Sequence, residues 1–377
     1  MPDPETLYVH VPFCVVKCGY CDFNSYAIED GAEHDRFLSA LDREFANQQI
    51  ARRVPSVFVG GGTPTYLDAG RFDRLLEIVG NHIDLERCPE VTIEGNPESC
   101  EEAKLRAARA AGVNRLSLGV QSFDATSLEF LERRHRAGDV ERAVDAARAA
   151  GFENLSLDLI YGLPGQTVEQ WSSDLDRALS LEPDHLSCYQ LTYEPGTRLT
   201  KSLGEGQFEP IGEDAEAAMF ALTHERLAEV GFQAYEVSNF AGRGGSCRHN
   251  LHYWAQGDYL GVGPGAASHR RGWRRTNLKP LEAWCSAVER GLPAAGDAEL
   301  LTVEQQLGEA LWLGLRTLDG ADLGRLRDRF GVRAVKRIEP RVDQYLEQDL
   351  LQREGERLAL QSHALPLADA ISEAFLD

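Results

Sequence analysis

Near its start, the chain runs from an apolar segment directly into three cysteines, in the order Tyr8-Val-His-Val-Pro-Phe-Cys14-Val-Val-Lys-Cys18-Gly-Tyr-Cys21. The run Leu7–Val11 predicts a first strand, and the cysteines follow it with the spacing Cys-x3-Cys-x2-Cys. No fourth cysteine is close by, because position 23 is Phe23. Clusters that only carry electrons normally have four cysteine ligands. The spacing therefore predicts an iron–sulfur cluster with one open iron. The alternative is a zinc site completed by a distant histidine, but no second Cys/His cluster follows at the usual spacing.

Length and charge exclude several classes of protein. At 377 residues the chain can form one large domain and a smaller one. Its formal net charge of −21 argues against a nucleic-acid partner, since binding phosphates needs a basic surface. The chain shows no signal peptide, and no stretch approaches the ~20 apolar residues of a membrane span. We expect a cytoplasmic protein.

Apolar, β-rich runs alternate with amphipathic stretches along the first half of the chain. Strands are predicted at Leu7–Val11, Val57–Val59, Val91–Ile93, Arg115–Val120, Leu155–Ile160 and Leu186–Thr192. This alternation is typical of a parallel sheet with helical crossovers. Six strands are too few for a closed (β/α)8 barrel. The pattern predicts an α/β fold with a partial, open, TIM-like (β/α)6 barrel.

Polar or glycine-rich groups follow the predicted strands, and ligands of parallel α/β folds bind at the carboxyl ends of strands. The glycines of Gly60-Gly-Gly-Thr63-Pro would let the backbone approach a ligand and expose its N–H and C=O groups. Glu94 and Asp158 are carboxylates whose burial is costly unless they bind ligand hydroxyls or an ammonium group. Arg133 could bind a carboxylate with two hydrogen bonds, or could form a surface salt bridge to Glu129. These groups predict one ligand site at the mouth of the sheet.

Six motifs in this order resemble the radical S-adenosylmethionine (SAM) superfamily, specifically its oxygen-independent coproporphyrinogen III oxidase branch. The resemblance covers nearly the whole chain. The motifs are Tyr8-Val-His-Val-Pro-Phe-Cys14, Cys18-Gly-Tyr-Cys21, Gly60-Gly-Gly-Thr-Pro64, Glu94-Gly-Asn-Pro-Glu98, Gly119-Val-Gln-Ser-Phe123 and Asp158-Leu-Ile-Tyr-Gly-Leu-Pro164.

The resemblance implies a [4Fe–4S] cluster on the three cysteines, whose open iron takes the amino and carboxylate groups of the methionine part of SAM. It also implies reductive cleavage of SAM to a 5′-deoxyadenosyl radical. By position, the implied SAM contacts are Gly61, Gly62 and Thr63 at the methionine end, Tyr20 at the adenine, Glu94, Gln121, Arg133 and Asp158 at the remaining polar atoms, and Tyr8 and Thr192 as further contacts.

Two departures separate the chain from the oxidase and resemble its sister group, the HemW-type haem chaperones. The oxidase has a further cysteine where this chain has Phe23, and it has a long N-terminal segment where only seven residues precede Tyr8. The stretch His249-Asn-Leu-His-Tyr-Trp254 matches the His-Asn-x-x-Tyr-Trp motif of that group, which implies haem binding by His249. Histidine is a common axial haem ligand, and aromatic side chains can form an apolar wall for a porphyrin. A packed core segment is the alternative, and Cys247 and His252 are alternative ligands.

The sequence thus predicts a haem chaperone with a [4Fe–4S] cluster and SAM, which passes haem to apo-haemoproteins such as respiratory-chain subunits. The alternative is the oxidase, which decarboxylates coproporphyrinogen III. The predicted segments are a radical SAM partial barrel over 1–235, a haem or substrate segment over 236–300 and a small α+β, winged-helix-like C-terminal domain over 301–377. The sequence leaves open a peripheral membrane contact and a homodimer.

Overall fold

The computed structural model of the chain describes residues 5–48 and 50–376. Its first six strands are β1 (Thr6–Val11), β2 (Ser56–Gly61), β3 (Glu90–Gly95), β4 (Arg115–Gln121), β5 (Asn154–Tyr161) and β6 (His185–Gln190). All six predicted strands are therefore confirmed. The end predicted for the sixth is wrong, because β6 stops at Gln190 and Thr192 lies in the loop that follows.

The six strands are parallel neighbours within a larger mixed sheet. Further strands extend it at both edges: β7 (Gln233–Ala234), β8 (Asn239–Ala241), β9 (Tyr259–Val262), β10 (Ala267–Arg270), β11 (Trp273–Asn277) and β12 (Ala295–Leu300). The order is β12-β11-β10-β9-β1-β2-β3-β4-β5-β6-β8-β7. Since the two ends of this order do not pair within the described residues, the barrel is open, as the sequence predicts.

Helices connect or flank these strands, and several of them bury one apolar face. They are α1 (Gly31–Asn47), α2 (Ala69–His82), α3 (Glu102–Ala110), α4 (Ala125–Phe130), α5 (Ala137–Ala149), α6 (Val168–Ser180), α7 (Arg198–Gly204), α8 (Glu213–Glu229), α9 (Arg248–Trp254) and α10 (Leu281–Glu289). Alternation in β1 shows how the layers form: Leu7, Val9 and Val11 belong to the apolar core, whereas Tyr8 and His10 point to the opposite face. The inside of the open barrel is therefore largely polar.

The C-terminal part forms its own apolar cluster, which includes Leu311, Leu326 and Leu358. Its elements are α11 (Val303–Leu315), β13 (Ala321–Asp322), α12 (Leu323–Phe330), α13 (Val332–Glu347), β14 (Leu351–Glu354), β15 (Arg357–Leu360) and α14 (Ala368–Glu373). The three strands pair in the antiparallel order β13-β15-β14. Helices followed by such a small sheet give the winged-helix-like arrangement that the sequence predicts.

The predicted division of the chain at residues 235 and 300 stays a prediction. Strands β8 to β12 lie within 236–300 and continue the sheet that β1 to β6 begin. Of the predicted segments, residues 1–4, 49 and 377 lie outside the described residues. No helix in the described ranges is long and apolar enough to cross a membrane.

Candidate functional site

A cavity of about 670 Å³ opens at the carboxyl ends of the parallel strands. Its volume lies within the range of ordinary ligand pockets. The predicted residues that line it are Cys14, Cys18, Tyr20, Cys21, Gly61, Gly62, Thr63, Glu94, Gln121, Arg133, Asp158 and Thr192. The structure thus brings together side chains that are up to 178 positions apart in the sequence (192 minus 14).

The three cysteines follow β1 and are partly buried in this cavity. The Thr63 hydroxyl donates to Cys14 Sγ at 3.6 Å, and Arg133 Nη1 lies 3.9 Å from Cys18 Sγ. Burial raises the pKa of Cys14 and raises the pKa of Cys21 to about 11. Without metal these two thiols keep their protons at neutral pH, and a metal centre would displace them. Hydrogen-bond donors that point at sulfur suit cluster ligation, because such bonds tune iron–sulfur centres.

The donor set can be compared with the two kinds of metal site that the spacing allows. Among the described residues, no three His, Cys, Asp or Glu side chains converge closely enough to hold a single metal ion. A tetrahedral zinc ion needs such convergence. In a [4Fe–4S] cluster each thiolate binds a different iron, so the three sulfur atoms stay apart. All three thiols line one cavity, and such an all-sulfur donor set suits an iron–sulfur cluster.

Gly61, which ends β2, and the next residue, Gly62, are required by close packing against β1 and the residues that follow it. Gly61 has φ 103°, and a Cβ on it would lie 2.3 Å from the His10 ring. A Cβ on Gly62 would lie 2.6 Å from the carbonyl oxygen of Phe13. Both distances are far below van der Waals contact, so only glycine is tolerated at these two positions. The sequence led us to expect that this backbone lies close to a ligand. In the structure it lies close to His10 and Phe13 instead.

The backbone N–H groups of this loop also have partners within the protein. Gly61 N–H donates to Glu94 Oε2 at 2.9 Å, Gly62 N–H donates to the Val11 carbonyl at 2.8 Å, and Thr63 N–H donates to the Phe13 carbonyl at 2.7 Å. The expectation that these N–H groups face a ligand is therefore wrong. A backbone contact from this loop to a ligand would therefore use carbonyl oxygens, which suit an ammonium group.

Two carboxylates, Glu94 and Asp158, line the same cavity. Burial raises the pKa of Glu94 to about 7, while the hydrogen bond from Gly61 N–H acts in the opposite direction. Burial also raises the pKa of Asp158, which accepts hydrogen bonds from Ser117 at 3.0 Å and Ser156 at 3.3 Å. Because an approaching cation stabilises the ionised form of both groups, the pair favours a positively charged ligand.

Glu94→Gln should change how stability depends on pH in the protein without cofactors. The unfolded chain releases this proton near the ordinary pKa of 4.5, but the folded protein retains it up to about pH 7. Between these values the folded state binds more protons, so the free energy of unfolding falls as pH rises. Relative to wild type, Glu94→Gln should gain up to about 3 kcal/mol between about pH 5 and about pH 8. Denaturant unfolding at both pH values measures this; a constant difference would contradict the burial of an ionisable Glu94.

Arg133 turns into the cavity, and the alternative of a surface salt bridge to Glu129 is wrong. Its Nη2 donates to Asn96 Oδ1 and to the Gly119 carbonyl, both at 2.7 Å. Its buried Nε has no hydrogen-bond partner within the described residues. Asn96 also donates to the Thr63 hydroxyl at 3.0 Å, so it fixes both Arg133 and Thr63. Asn96 lies in a predicted motif but was not predicted as a site residue.

Gln121 has a backbone conformation that the sequence does not reveal. It ends β4 with φ 65°, beside a register irregularity between Gly119 and Gln121. Positive φ is costly for a residue with a side chain, and such strain is often found at functional sites. The irregularity turns Gln121 into the lining of the cavity.

Residues of the C-terminal domain close one side of the cavity. Leu365, Pro366 and Asp369 contribute to its lining, and Arg316 pairs with Asp369. Phe23 lies at the rim with 58% of its surface exposed. Only the tertiary fold brings these C-terminal residues to the mouth, so no sequence motif indicates them.

Tyr8 and His249 are predicted site residues that lie outside the lining of this cavity. His10 Nε2–H donates to the Asn24 carbonyl at 2.9 Å, so Nδ1 of the neutral ring carries no proton. Nδ1 therefore accepts a hydrogen bond from the Tyr8 hydroxyl at 2.9 Å. Tyr8 thus orients the histidine ring against which Gly61 packs. Direct contact of Tyr8 with a cofactor stays a prediction.

His249 lies at the opposite end of the barrel, in α9. Its Nδ1 bonds the hydroxyl of Ser56, the first residue of β2, at 2.9 Å. Its backbone N–H donates at 2.9 Å to Glu90, the first residue of β3. The strand starts lie opposite the cavity, which is formed at the strand ends. Phe58 and Tyr253 contact the imidazole, with ring centroids 5.3 and 4.6 Å away.

The imidazole of His249 is buried, with 1% of its surface exposed. Burial lowers its pKa to about 3, and the nearby His252 and Arg115 add to the effect. Its Nε2 finds no hydrogen-bond partner within the described part of the chain. A neutral imidazole with an unpaired nitrogen is the form of histidine that ligates iron.

Comparisons with known proteins agree with this geometry. Residues 8–178 match the model described as "Radical SAM superfamily", and residues 301–367 match "HemN C-terminal domain". The protein named "Heme chaperone HemW" from Bacillus subtilis is 35% identical, over 99% of this chain and 99% of its own. Its namesake from Escherichia coli is 41% identical, over 70% of this chain and 69% of its own.

A solved structure has the same fold. The coproporphyrinogen III oxidase HemN of Escherichia coli, described as a radical SAM enzyme, aligns with a TM-score of 0.85 and 24% identity. The alignment covers 99% of this chain and 90% of that one. At this level of identity the likeness concerns the fold alone.

Proposed function

The chain belongs to the radical SAM superfamily and, within it, to the HemW haem chaperones, and on this basis we propose that it binds haem and delivers it to apo-haemoproteins, respiratory-chain subunits among them. We also propose a [4Fe–4S] cluster on Cys14, Cys18 and Cys21 and a SAM site beside it. The observation that carries the haem proposal is the unpaired Nε2 of the buried, neutral His249.

At the mouth of the barrel, the proposed roles follow from what each side chain offers. Cys14, Cys18 and Cys21 would hold the [4Fe–4S] cluster, which in its reduced form would supply one electron to SAM. Arg133 binds the carboxylate of SAM, and the carbonyl oxygens of Gly61 and Gly62 accept hydrogen bonds from its ammonium group. Tyr20 packs on the adenine. The remaining polar atoms of SAM contact Thr63, Glu94, Gln121, Asp158 and Thr192, all of which line the cavity.

Arg133→Gln should weaken SAM binding. The guanidinium lines the cavity, and losing a hydrogen bond to a charged group costs about 1.5–3 kcal/mol, or about 10–100-fold in affinity. Equilibrium dialysis of reconstituted protein with SAM measures the change. Arg106→Gln is the matched control, because Arg106 pairs with Glu102 on the surface of α3. Unchanged SAM affinity in Arg133→Gln would show that Arg133 does not bind the carboxylate of SAM.

At the other end, haem needs more room than the folded structure leaves around His249. Phe58 and Tyr253 lie against the imidazole, and Ser56 fixes its Nδ1. With Nδ1 fixed, Nε2 is the ligand atom. A movement of the seven-residue helix α9 away from the strand starts would expose Nε2 and an aromatic wall. We propose that haem selects this opened arrangement.

The test is an anaerobic experiment with reconstituted protein, SAM and a reductant. Haem is titrated and followed by absorbance, while coproporphyrinogen III is assayed in parallel for decarboxylation. Saturable binding of one haem without decarboxylation is the expected result, because Phe23 offers no thiol at the position where the oxidase has one. Decarboxylation at a useful rate would make the protein an oxidase, and absence of haem binding would contradict the chaperone proposal.

A further inference from the structure

A continuous series of hydrogen bonds crosses the polar inside of the barrel, from the cavity to α9. At the cavity end, the Ser156 hydroxyl contacts Asp158 Oδ1 at 3.3 Å and His185 Nδ1 at 2.8 Å. His185 Nε2 then contacts the Tyr235 hydroxyl at 2.9 Å. Ser156 and His185 are fully buried, so no solvent replaces these bonds.

The same series reaches the first turn of α9. The backbone N–H of Cys247, the residue that caps α9, donates to the Tyr235 hydroxyl at 3.3 Å. Glu90 holds this end from the other side, because it accepts from Cys247 Sγ at 3.4 Å and from the N–H groups of Arg248 and His249 at 2.8 and 2.9 Å. The position of His249 therefore depends on the groups that hold this first turn.

The bonds have a defined direction when Asp158 is ionised. A carboxylate only accepts, so the Ser156 hydroxyl donates to Asp158 and accepts from His185 Nδ1–H. His185 is neutral, because burial lowers its pKa well below the usual value, and its Nε2 therefore accepts from the Tyr235 hydroxyl. Donation thus runs in one direction, from Cys247 N–H to Asp158.

A ligand hydroxyl or ammonium that donates to Asp158 competes with Ser156 for the same carboxylate. The bond from Ser156 to Asp158 then weakens, because the carboxylate shares its charge with a second donor. The bonds from His185 Nδ1–H to Ser156 and from Tyr235 to His185 Nε2 lose polarisation in turn. Bonds in such buried series polarise one another, so the change reaches Cys247 N–H.

We infer that this series makes SAM binding in the cavity and the position of α9 interdependent, with Ser156, His185 and Tyr235 as positioning residues between them. The inference rests on the proposed sites for SAM and haem at opposite ends of the barrel. It gives SAM a role without cleavage: occupancy of the cavity biases α9 between its closed and its haem-binding arrangement. By linkage, haem binding changes SAM affinity by the same factor.

The test is hydrogen–deuterium exchange of the backbone amides of residues 247–254 in anaerobic, cluster-reconstituted protein, with and without saturating SAM. In wild type, SAM should change these exchange rates by about fivefold or more. Ser156→Ala and Tyr235→Phe should reduce the change to less than about twofold. Ser156 hydrogen-bonds to Asp158 and His185, neither of which is in α9, so the loss of the response in its variant tests the series rather than a bond within that helix.

Two control variants test whether the exchange response depends on this series of hydrogen bonds. Ser117→Ala also removes hydrogen bonds to Asp158, but Ser117 takes no part in the series that leads to His185, so this variant should keep the response. Tyr345→Phe removes a hydroxyl in the C-terminal domain and should also keep the exchange response.

Bound SAM without any response at 247–254 in wild type, or a full response in Ser156→Ala, would overturn the inference. A haem titration in the same samples is independent: a normal exchange response without haem binding supports the inference and contradicts the proposed function.

Discussion

Cys18→Ala is expected to abolish the iron–sulfur cluster. Cys18 is 9% exposed, lies beside Arg133 and is the middle residue of a triplet that offers no substitute thiol. Loss of one of three ligands opens a second iron to solvent, so reconstituted protein should hold less than about one-tenth of the wild-type iron and sulfide. The brown absorbance of the cluster and the binding of SAM should disappear with it.

Cys285→Ala is the matched control for this experiment. Cys285 is fully buried in α10 and does not line the cavity, so its loss should leave the iron and sulfide content unchanged. Stoichiometric iron and sulfide in Cys18→Ala would refute the cluster assignment. A loss of iron in both variants would mean that a general instability causes the effect.

His249→Ala is expected to weaken haem binding at least about tenfold while leaving the cluster intact. The variant removes the proposed ligand atom Nε2, which already lacks a partner within the described residues. Titration with haem, followed by absorbance, measures the affinity and shows whether the spectrum of the bound iron changes. Cluster content should not change, because His249 and the cysteines lie at opposite ends of the barrel.

Two other histidines provide controls and rival ligands. His252 is in the same helix, and its Nε2 donates to the Asp258 carbonyl at 2.7 Å. His269 is buried like His249, and its Nδ1 lies 3.8 Å from Asp258 Oδ1. His252→Ala and His269→Ala should keep the wild-type affinity. Wild-type haem affinity in His249→Ala, together with weakened affinity in one of the two controls, would identify that control residue as the haem ligand.

The sequence could predict the six parallel strands because each combines an apolar outer face with a short, regular spacing along the chain. In β1, for example, Leu7, Val9 and Val11 form the core-facing set. The edge strands gave no such signal. β12 reads Ala-Gly-Asp-Ala-Glu-Leu and is largely exposed, so it has no apolar face for a pattern to reveal.

The cavity side of the site was also predictable, since ligand groups of parallel folds gather at strand ends. The physical reasons why individual residues occupy this site were not predictable. Gly61 is required by the ring of His10 and Gly62 by the Phe13 carbonyl, and the N–H groups that a ligand was expected to bind are taken by Glu94, Val11 and Phe13. These contacts join different strands, and spacing along one strand does not record them.

The place of His249 depends on contacts over still longer distances in the sequence. Its helix is held by Glu90, 159 positions earlier, and by Ser56, 193 positions earlier. A motif can indicate haem chemistry, but it cannot show that the motif lies at the opposite end of the barrel from the cysteines. That separation is what makes the barrel interior, with Ser156, His185 and Tyr235, a candidate for communication between two ligands.

The central claim, that this protein carries haem and delivers it, is tested most directly by a transfer experiment. Haem-loaded protein is mixed under anaerobic conditions with an apo-haemoprotein of the b type, and the absorbance of the acceptor is followed. The same loaded protein mixed with a passive haem scavenger gives the rate of spontaneous release. We expect transfer to the apo-haemoprotein to be faster than release to the scavenger, and this advantage to be lost in His249→Ala. Equal rates for acceptor and scavenger in wild type would contradict delivery.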